Sequence, residues 1–120
     1  MHSNNEHFNS LIRLLLPKEL FDYFEIMQIS VEDKSINIYF DELAVKPDEF
    51  GNEKLTSNGF HSPCVVQDFP LRGKALFLHV RRRRWLVDST GKVVSRDWAT
   101  VAKGTRFTKE FALFLNKLFR

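Results

Sequence analysis

Arg81, Arg82, Arg83 and Arg84 are consecutive, and Trp85 follows directly. Four adjacent guanidinium groups repel one another and none sheds its charge near neutral pH, so the run calls for an anionic partner. Nucleic acid is the commonest such partner, because Arg and Lys pair with phosphates while aromatic rings stack on bases or sugars. More residues of these types flank the run: Lys74 and His79 before it, Lys92, Arg96 and Trp98 after it, then Lys103 and Arg106 in a basic loop. Together with the four arginines and Trp85 they form a candidate DNA-binding set, the cations on phosphates or base edges and the tryptophans packed under arginine stems or stacked. The plainer alternative makes Trp85 and Trp98 core residues and the arginines a solvated face. Residue types alone do not separate DNA from RNA here.

Other chemistries find less footing. Gly-rich phosphate loops, a metalloprotease helix motif and a nucleophile elbow are absent from the sequence. Cys64 is the single cysteine, so no intrachain disulfide and no sulfur-built zinc ribbon can form, and a cytoplasmic location is expected. His2, His7, His61 and His79 are scattered, and the acidic residues sit mostly in turns or at strand ends. Neither a cofactor nor a catalytic role is expected. No apolar run approaches the ~20 residues of a membrane span, and the start of the chain lacks the features of a signal peptide.

The net charge of +3 conceals an asymmetry. Residues 1–60 carry 5 Lys and Arg against 11 Asp and Glu, a balance of −6, while residues 61–120 carry 13 against 4, a balance of +9. The pattern suggests an acidic first half and a basic second half that meets a polyanion.

The elements that must position these residues read as an α+β chain. One small domain, 1–120, is expected, with helices and an acidic hairpin over 1–42, a flexible connector over 43–63, and a basic hairpin with a terminal helix over 64–120. Phe8, Leu11, Ile12 and Leu15 predict a helix over 5–16 capped by Asn4 or Asn5, and Pro17 opens a second with Leu20, Phe21 and Phe24 behind it. From Glu25 the period becomes two, and two strands flank the turn Glu32-Asp33-Lys34, with Ile36, Ile38 and Phe40 on one face of the second. Turn formers punctuate 43–63. A strand over 64–69 and a turn bracketed by Pro70 and Gly73 lead into a long strand over 74–87. Its even positions Leu76, Leu78 and Val80 face inward, and Phe77, His79, Arg81, Arg83 and Trp85 share the other side. That alternation would aim Arg82 and Arg84 at the core, unless they lie past the sheet edge or a bulge near Val80 re-aims them. A turn at 88–91 and a short strand over 92–94 pair back on 85–87. Thr108 caps and Phe107 staples a last helix over 109–119, whose apolar face is Phe111, Phe114, Leu115 and Leu118.

Asp68-Phe69-Pro70, Arg72-Gly73-Lys74, the strand ending in Arg81 to Arg84 with Trp85, Ser95-Arg96-Asp97-Trp98 and Ala102-Lys103-Gly104-Thr105-Arg106 occur in that order. In this order they resemble the N-terminal region of a group of bacterial insertion-sequence transposases, most specifically across residues 66–120. The region is also similar to the zinc-ribbon-like opening domain of larger transposases that cut DNA with an Asp-Asp-Glu triad. Those relatives carry cysteine pairs where this chain offers Cys64 alone and, after Trp85, Leu86-Val87-Asp88-Ser89-Thr90-Gly91, so their zinc is not carried over. The resemblance implies a non-catalytic module that recognises insertion-sequence ends for a nuclease in another domain or chain. The competing expectation is a protein-interaction module that docks on that catalytic partner or on a second copy.

Overall fold

A computed structural model describes residues 2–98 and 109–119, with side chains from Asn9 in the first helix and from Phe111 in the last. Helix α1 spans His2–Leu15 and is followed by the single turn α2, Leu20–Tyr23. Strands β1 (Phe24–Val31) and β2 (Ser35–Glu42) come next, then a 3-10 turn at Asp48–Phe50 and β3 (Leu55–Phe60). The second half holds β4 (Cys64–Leu71), β5 (Lys74–Arg81), β6 (Arg83–Val87), β7 (Val93–Val94) and helix α3 (Lys109–Phe119). The α+β class expected from the sequence holds.

The strands form two sheets. The larger has the order β1-β2-β5-β4 and the smaller β3-β6-β7. Every pairing is antiparallel except β2 with β5, which run parallel in the middle of the larger sheet. That register sets Ile36 beside Leu76, Ile38 beside Leu78 and Phe40 beside Val80, all buried. Two strands with the same in–out alternation thus merge into one apolar block, which joins Ile12, Leu16 and Leu20 from the first helices and Phe111, Leu115 and Leu118 from α3 in a single core. Leu11 and Leu15, expected on the packed face of α1, stay about half exposed. Among the described side chains Ile12, with Leu16 just past the helix, seals α1 to the sheet, while the side chain of Phe8, expected on the same face, lies outside them. The helix begins at His2, which leaves Asn4 and Asn5 inside it rather than at its cap.

Two local devices correct the alternation. In β1 the pairing slips between Ile26 and Gln28, so Met27 is an extra residue, and Ile26 opposite Phe40 and Ile29 opposite Ile38 fall on the same face. Between β4 and β5, Leu71 pairs with Lys74 across Arg72 and Gly73, both with positive φ (52° and 79°), the geometry of a two-residue type I′ hairpin turn.

The connector expected over 43–63 is more structured than its composition suggests, since it contains the 3-10 turn and β3. That strand is nearly all exposed, with only Leu55 and Phe60 partly buried, so it carries no apolar alternation to read. Its fastenings are polar: Thr56 Oγ1 donates to Asp88 at 2.8 Å and Ser89 Oγ donates to Glu53 at 3.0 Å.

Candidate nucleic-acid interface

The single long strand expected over 74–87 is instead two strands in two sheets, and Arg82 is the residue between them. Burial falls on even positions up to Val80 and on odd positions, Trp85 and Val87, from there on. The switch of parity at Arg82 answers the question posed by strict alternation: Arg84 lies on the face of β6 opposite Trp85 and is not driven into the core. His61 holds the pivot, its backbone N–H donating to the Arg82 carbonyl at 2.9 Å while its ring Nε2 pairs with Ser95 Oγ at 2.6 Å. Burial and the nearby Arg82 and Arg84 charges lower the His61 pKa from its ordinary 6.5.

Each arginine of the run has a different environment. Arg81 donates from Nε and Nη2 to the two carboxylate oxygens of Asp41, both at 2.6 Å, and lies over the Phe60 ring at 4.2 Å. Its side chain is 45% exposed, so solvent screening holds this ion pair to about 1 kcal/mol. Arg82 lies 5.2 Å from the Phe119 ring, and its buried Nε has no partner among the described residues. Arg83 is fastened most firmly: its N–H donates to Glu42 Oε1 at 3.0 Å, its Nε to the Glu42 carbonyl at 3.1 Å, and its Nη1 to Ser57. The same guanidinium shares the Phe60 ring at 4.7 Å. Arg84 is half-buried, and its side chain makes no hydrogen bond or ion pair among the described residues.

Glu42 is the anion beneath this junction. It is 1% exposed, accepts from Arg83 and, at 3.4 Å, from Arg96 Nε, whose Nη2 also donates to the Val45 carbonyl at 2.9 Å. Burial raises its carboxyl pKa above the usual 4.5, against the opposing pull of the Arg83 N–H and the Arg96 charge. A buried carboxylate with these partners fixes guanidinium groups in place.

The other members of the sequence-derived set scatter. Lys74 caps the β1–β2 turn by donating Nζ to the carbonyls of Glu32, at 2.7 Å, and Asp33. His79 lies on the larger sheet, its Nε2 bonded to Asn37 Oδ1 at 2.8 Å. Lys92 is exposed, with no side-chain partner among the described residues. Trp85 and Trp98, 5% and 4% exposed, are packing residues, which corrects any role for them in stacking on bases. Trp98 stacks between Phe24, at 5.1 Å, and Phe119, at 5.3 Å, with Tyr23 edge-on, so it locks α3 to the first strand. Lys103 and Arg106, with the Thr108 cap and the Phe107 staple, lie outside the described residues.

The structure therefore brings Arg81, Arg82, Arg83, Arg84 and Arg96 to one junction and leaves Lys74, His79 and Lys92 apart from it. The sequence reading missed Asp41, Glu42 and Phe60, the groups that orient these arginines. Asp41 and Glu42 were legible only as strand-end acids, because the β2–β5 pairing that delivers them is not local. Among the described residues no three His, Cys, Asp or Glu side chains converge as a metal site, and no helix is long and apolar enough to cross a membrane. Compared with known proteins, the chain matches no family model, no curated protein and no solved structure.

Proposed function

We propose that this chain is the non-catalytic DNA-binding module of a bacterial insertion-sequence transposase, recognising the ends of the element for a nuclease in another domain or chain. One observation carries the DNA-binding part of the reading. Five arginines (81, 82, 83, 84 and 96) meet where the chain passes between the two sheets, and the carboxylates hydrogen-bonded to them are those of Asp41 and Glu42. Counted over these arginines and the carboxylates hydrogen-bonded to them, five cations against two anions leave a local excess of three positive charges. The transposase part rests on the motif order between Asp68 and Arg106.

Within the junction the roles differ. Among the described residues the Arg84 side chain has no partner to give up, and Arg81 has a solvent-screened one that a phosphate can replace, so these two make the contacts, with exposed Lys92 beyond them. Arg83 and Arg96 are held by buried Glu42 and act as scaffold. Fluorescence anisotropy with a duplex carrying the terminal inverted repeat, beside a scrambled duplex and an equal-length RNA, tests the reading. Tighter binding to the repeat across a salt series is expected, and Arg84→Ala should weaken it about 3- to 10-fold, the range of one solvent-exposed hydrogen bond. Absence of binding at low salt would sink the proposal.

A second reading has its own observation. Phe69 (84% exposed) and Leu113 (65%) are exposed on β4 and α3, in a shallow depression also lined by Leu15, Pro17, Asp68, Phe114 and Lys117, and Leu14 (82%) is exposed on α1. Large apolar side chains gathered in this way suit a protein partner, either the catalytic subunit or a second copy. A mass that rises with protein concentration would favour it.

A further inference from the structure

The larger sheet has a second face, turned away from the helices. The alternation that buries Ile36, Ile38 and Phe40 with Leu76, Leu78 and Val80 sends Asn37, Tyr39, Phe77 and His79 to that opposite side. None of these four belongs to the core. The pairings arrange the face in rows: Ser30, Asn37, Phe77 and Gln67 form one, Gln28, Tyr39, His79 and Val65 the next, and Glu25, Asp41 and Arg81 a third. Successive rows are roughly 6.6 Å apart, twice the strand rise.

The chemistry of these rows is specific. Tyr39 and His79 stack with ring centroids 4.3 Å apart at 20°, and Phe77 stands beside them one row down. The His79 ring is oriented by Asn37: an amide oxygen only accepts, so the 2.8 Å contact puts the proton on Nε2 and leaves Nδ1 as an acceptor. Burial lowers the His79 pKa below its ordinary 6.5, so the ring is neutral at physiological pH. Around the rings are Gln28, Ser30, Asn37 and Gln67, all able to donate and accept, and Val65 is 55% exposed. The row of Arg81 closes one end of the face, and the chain continues from there into Arg84.

Flat rings and neutral amides match unpaired bases, whose faces stack and whose edges seek both donors and acceptors. A duplex hides both features. A protein partner would leave the amides to be desolvated. We infer that this open sheet face binds single-stranded nucleic acid, with bases stacked on Phe77 and the Tyr39–His79 pair and the phosphates led toward Arg81 and Arg84. The inference rests on the nucleic-acid reading above and deepens it, since it adds a separate surface for strands that are not paired. Asp41 does not oppose it: Arg81 gives Nε and Nη2 to that carboxylate and keeps Nη1 for a phosphate.

Anisotropy on the full chain with a mixed-sequence 12-nucleotide strand, as DNA and as RNA, and with a 12-base-pair duplex tests it. Phe77→Leu and Tyr39→Leu keep apolar bulk while removing a ring. Each should weaken single-strand binding about 5- to 150-fold, the range for one lost stacking contact, and leave duplex binding unchanged. Arg84→Ala should weaken both. Preference for either sugar identifies which strand the face accepts and supports the inference. Equal losses for strand and duplex in the ring variants, or duplex binding with no single-strand binding, would overturn it while leaving the DNA-binding proposal standing. Loss of all nucleic-acid binding by the wild type would end both. Independently of any variant, titrating the wild type with the 12-mer should move the ring-proton resonances of Phe77, Tyr39 and His79 upfield, and unmoved resonances would also overturn it.

Discussion

Glu42 decides the geometry of the arginine junction more than any arginine does. Its two carboxylate oxygens are divided between the Arg83 N–H and Arg96 Nε, in a site 1% exposed. Truncating one member of such a buried pair leaves charges and donors unpaired, so Glu42→Ala should cost about 3–5 kcal/mol in chemical denaturation. Glu42→Gln keeps an acceptor for Arg83 and should cost less. The pH dependence separates charge from shape. Because burial raises the native pKa of this carboxyl above 4.5, the folded chain holds its proton more tightly than the unfolded chain. Its contribution to stability is therefore complete below the unfolded value near 4.5 and is lost as pH climbs through the native value. Subtracting the Glu42→Gln stability curve from the wild-type curve between pH 4 and 8 should give a difference that declines with rising pH. A flat or rising difference would mean that Arg83 and Arg96 fully compensate the burial.

At the scale of elements, the central pair β2–β5 carries the fold. Ile38 and Leu78 are neighbours in the parallel register and neither is accessible to solvent. Leu78→Ala opens a cavity there and should lower stability by about 2–5 kcal/mol, measured as a shift of the urea midpoint at constant m. Phe77→Leu, one residue away on the open face, should cost far less. This contrast also shows what the sequence could disclose. The alternation of β2 and β5 and the apolar face of α3 were legible, because each is a local periodicity, whereas the turn expected between Pro70 and Gly73 is narrower, since β4 runs through Pro70 to Leu71 and only Arg72 and Gly73 turn. The parity switch was half legible, since Leu76, Leu78 and Val80 are even whereas Trp85 and Val87 are odd. Only the structure shows that the switch moves the chain from one sheet into another. Strand β3 was not legible, because an exposed edge strand of Thr, Ser, Asn and Gly has no apolar period. The parallel pairing of β2 with β5 was hidden for a different reason: the chain between them runs through the 3-10 turn, β3 and β4, and no short-range signal specifies such a partner. The site followed the same rule. The arginines were visible as a run, whereas their acceptors arrive from β2 and the ring between two of them from β3.

At the scale of the molecule, the charge asymmetry of the sequence does not survive as two separate poles. The acidic half is sewn to the basic half by Asp41 on Arg81, Glu42 on Arg83 and Arg96, Glu49 accepting from the Asp97 N–H at 2.8 Å, and Glu53 accepting from Ser89. Lys74 is likewise spent on the turn carbonyls of Glu32 and Asp33. A cation already paired inside the protein releases few counterions when DNA arrives, because it merely exchanges one anion for another. Within the candidate DNA-binding set, the described cations free to neutralise phosphate are then Arg84, Lys92 and, by exchange, Arg81, about three against the larger number that the sequence displays. Counterion release at about 0.9 per phosphate predicts that these three contribute about −2 to −3 to the slope of log K for duplex binding against log salt, and that Lys103 and Arg106, if they also meet phosphates, bring it to about −4 to −5. Arg84→Ala and Lys92→Ala should each flatten it by about 0.9, and Arg83→Ala should leave the slope alone while lowering stability. A slope steeper than about −6 would mean that the internal pairs open on binding, with Asp41 and Glu42 acting as a latch that the phosphate backbone displaces.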